Sequence, residues 1–171
     1  MTIDATQDGL IIGVIGAGAM GRGIAQVAAT GGCTVIMFDT RAESSKEAVE
    51  FIEGMLGRAV EKNRMTAEDA KASMGRIQIA DSMNGLNTCH AIIEAATENL
   101  DIKRKIFAEL ESIVSDDIIL ATNTSSLIHM ESFKLKDLNL ILRFVRSFLS
   151  TESNLLIFFS RVLIFKKKSS T

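Results

Sequence analysis

Short apolar runs alternate with helical periodicity along the first 127 residues of the chain. Residues 10–15 are apolar and close on a glycine-rich turn, which predicts a buried parallel strand. Over 20–30, Met20, Ile24, Val27 and Ala28 fall at helical spacing, and Gly31-Gly32 stops the run. Residues 33–38 (CTVIMF) are rich in β-formers and end at Asp39, predicting a second strand. Val49, Ile52, Leu56 and Val60 then share one face of a long helix over 42–62. Thr66, with Asp69 three residues on, reads as the cap of a shorter helix. Ile77 and Ile79 alternate within a strand at 76–80, and AIIEA at 91–95 makes a fourth, buried strand. An amphipathic helix follows over 102–114, and IILAT at 118–122 is the fifth strand. Parallel strands need long crossovers, and this order supplies them. The fold class is therefore α/β, a doubly wound parallel sheet with strand order 3-2-1-4-5.

Composition changes the picture in one place. The 171 residues carry a net charge of −2, which speaks against bulk electrostatic binding of nucleic acid. Cys33 and Cys89 are too few for a disulfide framework and read as buried thiols of a reducing compartment, hence a cytoplasmic protein. Asp4 and Asp8 precede the first apolar run, unlike a signal peptide, and no stretch of 18 apolar residues suggests a membrane span. The break comes near Leu127. Residues 1–127 hold every Gly and Ala, with 11 basic against 18 acidic residues; residues 128–171 hold neither, with 8 basic against 3 acidic and six of the nine Phe. Two regions are expected: an α/β domain over 1–127 and an anomalous tail over 128–171.

The sharpest chemical signal is Gly16-Ala17-Gly18-Ala19-Met20-Gly21, between a strand and a helix. In such a G-x-G-x-x-G loop the first glycine permits the tight turn and the second lets backbone approach a pyrophosphate. The third lets helix and strand pack closely. The helix N-terminus adds unpaired N–H groups and partial positive charge. Asp39 stands 23 residues beyond Gly16 at the end of the second strand, where a carboxylate accepts from adenosine ribose hydroxyls and repels a 2′-phosphate. The cofactor is therefore expected to be NAD. Arg41 is the one hint of NADP, and the loop alone also admits FAD.

Three motifs narrow the reading. GAGAMGRGIA at 16–25, IEAATENL at 93–100 followed by Lys103, and ATNTSSL at 121–127 stand in the order and spacing of the 3-hydroxyacyl-CoA dehydrogenases, which the chain resembles over residues 8–127. The resemblance implies hydride transfer between NAD and a 3-hydroxyacyl-CoA/3-ketoacyl-CoA pair, in fatty-acid, phenylacetate or hydroxybutyrate metabolism. It further implies that Glu98 and Lys103 contact the cofactor, that Asn123 shapes the loop after the fifth strand, and that Ser125 lies between nicotinamide and the substrate oxygen. Lys62 would hold coenzyme A phosphates, helped by Arg58 and Arg64. The family works as a homodimer built through a helical domain that this sequence does not carry.

One part of the family's chemistry is missing. Its general base is a histidine in a His-Phe-Phe-Asn-Pro stretch about 20 residues after the Ser-Ser-Leu motif; here residues 143–150 read RFVRSFLS, and no proline occurs in the chain. Only His90 and His129 exist. His90 precedes the fourth strand, at the wrong edge of the sheet, and His129 follows the serine loop too closely. The expectation is a domain incomplete at its C-terminus, with the reading frame lost after Leu127. The apolar segment 155–165 followed by three lysines is alternatively an edge strand, an aggregation-prone segment, a membrane-surface anchor or simply buried. A non-catalytic dinucleotide-binding module is the second functional reading, and another dehydrogenase of the β-hydroxyacid type the third.

Overall fold

A computed structural model describes residues 9–115, 118–123 and the backbone of 163–166. Five strands are parallel: β1 (Ile11–Ile15), β2 (Thr34–Phe38), β3 (Ile77–Ile79), β4 (Ala91–Glu94) and β5 (Ile119–Thr122). With the antiparallel β6 (Leu163–Lys166) they form one sheet in the order β3-β2-β1-β4-β5-β6. The parallel part has the order read from the sequence. β6 places part of the tail as an edge strand on β5, one of the four fates considered for that segment.

Helices α1 (Ala19–Thr30), α2 (Ala42–Glu61), α3 (Ala67–Gly75) and α4 (Leu100–Ile113) make the crossovers, and a 3₁₀ turn, Met83–Leu86, precedes β4. Period-two alternation sorts the strand side chains into two apolar layers. Ile12, Val14, Val35, Met37, Ile93 and Ala121 pack with Ile24, Ala28, Ile52 and Leu56 of α1 and α2. On the other face Ile15, Ile92 and Leu120 pack with Phe107 and Leu110 of α4. Both faces are covered, as a parallel sheet requires. Among the described residues no helix is long and apolar enough to cross a membrane.

Two helices depart from the sequence pattern in instructive ways. α4 begins at Leu100 rather than 102, because the Asn99 side chain accepts from the N–H groups of Asp101 and Ile102 and caps the helix. Its buried face runs through Lys103, Phe107, Leu110 and Val114, while Ile102 stays 47% exposed. A lysine thus occupies a core position and an isoleucine a solvent one. On α1, Met20 is 39% exposed and does not join the Ile24–Ala28 face. At Thr66 the expected cap is present: its hydroxyl oxygen accepts from the Asp69 N–H at 3.1 Å.

Candidate functional site

The glycine loop is tied down from β2. Phe38 C=O accepts from the Gly16 N–H at 2.8 Å, and Asp39 Oδ2 accepts from the Ala17 N–H at 2.8 Å. Asp39 Oδ1 accepts from the Arg41 N–H at 3.0 Å. A carboxylate has about four acceptor sites, so two main-chain amides leave capacity for a pair of hydroxyls. The carboxylate read as the ribose acceptor therefore also orders the loop beside it.

Each glycine has a separate reason. Gly16 takes φ +96° and lies against Ala96, whose Cα would stand 2.5 Å from a Cβ at Gly16. At Gly21 a Cβ would fall 1.7 Å from the Gly16 carbonyl oxygen, so only hydrogen permits this approach of α1 to the turn. Gly18 is different: a Cβ there meets nothing within 4 Å. Its bare face opens outward, and it is the N-cap of α1 without a side-chain cap. Gly18, Ala19 and Met20 are exposed while Gly16, Ala17 and Gly21 are buried. An uncapped helix N-terminus with an open glycine before it fits an anionic diphosphate.

On the other side of β1, the carboxyl ends of β4 and β5 carry a buried polar cluster. Parallel register sets Glu94 beside Thr122, and both side chains are on the α4 face with Ile92 and Leu120. Lys103 comes down from the first turn of α4. Its Nζ donates to Glu94 Oε2 at 2.6 Å and to Thr122 Oγ1 at 3.2 Å, and Thr122 Oγ1 donates to Glu94 Oε2. Glu94 Oε1 accepts from the N–H groups of Ala96 at 2.8 Å and Thr97 at 3.3 Å. Glu94 and Thr122 are 0% exposed and Lys103 3%. Sequence reading set Glu94 and Thr122 at the ends of the fourth and fifth strands and gave them no role. No local signal joins them, since Glu94 meets Thr122 only through the pairing of β4 with β5.

The remaining expected residues are dispersed. Lys103, read as a cofactor contact, is inside the fold on Glu94 rather than presented to solvent. Glu98 is exposed on the loop before α4, and Asn123 is half-buried just past β5, with its N–H donating to Glu94 C=O at 2.8 Å. Lys62 is exposed at the C-cap of α2. Twenty helical residues separate it from the Asp39 end, roughly 30 Å at about 1.5 Å per residue, so it stands apart from the loop. Ser125, His129 and residues 143–150 lie outside the described residues. His90 is at the amino edge of the sheet, where its Nδ1 accepts from the Ile11 N–H at 3.0 Å. Both cysteines are free and buried. Desolvation raises the Cys33 thiol, partly offset by Arg76, and pushes Cys89 up to about 12. Among the described residues no group of three or more His, Cys, Asp or Glu could hold a metal ion.

Comparison with known proteins points one way. Residues 11–135 match the family model described as 3-hydroxyacyl-CoA dehydrogenase, NAD binding domain. That match runs past Leu127, so the resemblance continues into the region expected to be foreign. The 3-hydroxybutyryl-CoA dehydrogenase of Bradyrhizobium diazoefficiens is 41% identical over 116 residues, covering 68% of this chain and 40% of that protein. The 3-hydroxyadipyl-CoA dehydrogenase of Escherichia coli is 36% identical over 116 residues, covering 68% of this chain and 24% of the other. Among solved structures, (S)-3-hydroxybutyryl-CoA dehydrogenase from Ralstonia eutropha superposes with a TM-score of 0.66 at 38% identity, covering 68% of this chain and 41% of that one. The chain thus spans about two fifths or less of the length of these relatives.

Proposed function

Because this chain belongs to the family of the 3-hydroxyacyl-CoA dehydrogenase NAD-binding domain, we propose that it is the cofactor-binding part of such an enzyme. The reaction class is hydride transfer between NAD and a 3-hydroxyacyl-CoA/3-ketoacyl-CoA pair. The observation that carries this reading is the joined loop and carboxylate: three glycines at a helix N-terminus, with Asp39 bonded to the loop itself. Asp39 receives the adenosine ribose, and the amides of residues 18–20 at the α1 N-terminus receive the pyrophosphate. NAD over NADP follows from the negative charge at the ribose, and Arg41 does not displace it.

Bound NAD supplies the hydride acceptor. The chain's own residues orient it: Glu98 and Asn123 stand at the carboxyl ends of β4 and β5, and Ser125 is assigned to the substrate oxygen. Lys62, at the far end of α2, is assigned to coenzyme A phosphates. A proton must leave the substrate hydroxyl as hydride leaves carbon, and residues 143–150 hold no histidine to take it. The chain alone therefore binds cofactor with little turnover, and homodimerisation and cytoplasmic location are carried over from the family and from the buried thiols.

Titration of the full chain with NADH, followed by nicotinamide fluorescence, tests the reading. Binding of NADH with weaker binding of NADPH is expected; a folded chain that takes up neither would overturn it.

A further inference from the structure

Stability alone does not require the buried cluster beneath α4. Taking a carboxylate and an ammonium out of water costs several kcal/mol per ion, and a well-packed apolar replacement is often as stable. What the cluster does hold is the ligand edge of the sheet. The dinucleotide crosses that edge where the strand order reverses, between β1 and β4. With adenosine over β2 at Asp39 and the diphosphate at the β1 loop, the remaining half of the cofactor lies on the β4–β5 side. There Glu94 Oε1 fixes the amides of Ala96 and Thr97, while Oε2 fixes Lys103 of α4 and Thr122 of β5. Ala96 in turn is the residue against which Gly16 packs. One carboxylate therefore spans the β4–α4 loop, the start of α4 and the end of β5, and through Ala96 it abuts the glycine loop.

We propose that Glu94 is a positioning residue for the nicotinamide half of the cofactor, acting through the backbone of Ala96 and Thr97 and through Thr122 rather than by touching the ligand. The inference rests on the NAD-binding reading above. It is specific because the hydrogen bonds that hold the glycine loop come from Phe38 and Asp39 at the end of β2, not from Glu94. Losing its carboxylate should loosen one half of the site and spare the other.

The test compares NADH, followed by nicotinamide fluorescence, with ADP, followed by calorimetry, on the full chain. In Glu94→Gln the affinity for NADH should fall about tenfold or more, as for loss of a charged hydrogen-bonding group, while that for ADP changes less than about twofold. The fluorescence enhancement of bound nicotinamide should fall with it. Glu94→Gln leaves the Lys103 charge buried without its partner and can fail to fold. Glu94→Leu/Lys103→Met removes both charges, and Thr122→Val removes only one hydroxyl; each should show the same selective loss, with Thr122→Ser restoring wild-type binding. Equal weakening of NADH and ADP, or unchanged NADH affinity in a folded variant, would overturn the proposal. If the wild-type chain binds neither probe, the NAD-binding reading fails first, a result distinct from wild type binding both while the variants lose both in step.

Discussion

The three loop glycines separate binding from folding, because only one of them faces open space. Gly18→Ala should leave the thermal midpoint within a few degrees of wild type while lowering NADH affinity, since its Cβ meets no protein atom and intrudes only where a diphosphate approaches. Gly21→Ala should instead lose the fold's stability, its Cβ driven into the Gly16 carbonyl. Thermal melts and NADH titrations on both variants check the contrast. Asp39→Asn keeps one acceptor and loses the charge, and should weaken NAD binding about tenfold; unchanged affinity in a titration would remove Asp39 from the site. Burial keeps the Cys89 thiol neutral up to about pH 12, whereas the unfolded thiol ionises from its ordinary value of 9.0. Its contribution is therefore complete below about pH 9 and declines as pH rises toward 12. Urea midpoints at pH 7.5 and 10.5 should diverge less in Cys89→Ala than in wild type. At this scale the loop and Asp39 were legible in sequence because a local turn chemistry and a fixed spacing encode them. Glu94, Thr122 and the role of Lys103 were not, because their meeting depends on strand register.

Helix α4 is where local pattern and packing disagree. Apolar spacing favours Ile102 as a core position, yet the cap at Asn99 and the register of β4 and β5 turn Lys103 inward instead. Two substitutions measure this directly. Ile102→Glu should change stability by no more than about 0.5 kcal/mol, as for an exposed position away from special features. Lys103→Met leaves the buried Glu94 carboxyl without its ammonium partner and should cost about 3–5 kcal/mol in chemical unfolding. The reverse ranking would place Lys103 at the surface. Strand positions, by contrast, were readable almost to the residue, since buried parallel strands are continuous apolar runs between turn signals. The 3₁₀ turn at Met83–Leu86 had no such signature, its Met and Leu being three apart in an otherwise polar stretch.

For the whole molecule, cofactor binding and turnover should part company. With acetoacetyl-CoA and NADH the full chain should turn over at least about 10²–10⁴-fold more slowly than a two-domain relative, the usual cost of a lost general base. Comparable rates would show that another group takes the proton. At gene level, a second reading frame downstream of codon 127 should encode a His-Phe-Phe-Asn-Pro stretch; its absence would make the tail a genuine divergence. Sequence by itself determined the doubly wound sheet, its strand order, the glycine loop and its acidic partner. Each is written in contiguous periodicity or in a short fixed spacing. Only tertiary structure decided which charged residues are interior, that Asp39 braces the loop it serves, and that Glu94 links three elements at the ligand edge. Those contacts join residues up to 28 positions apart, and pairing across a sheet is set by register, which no single segment specifies.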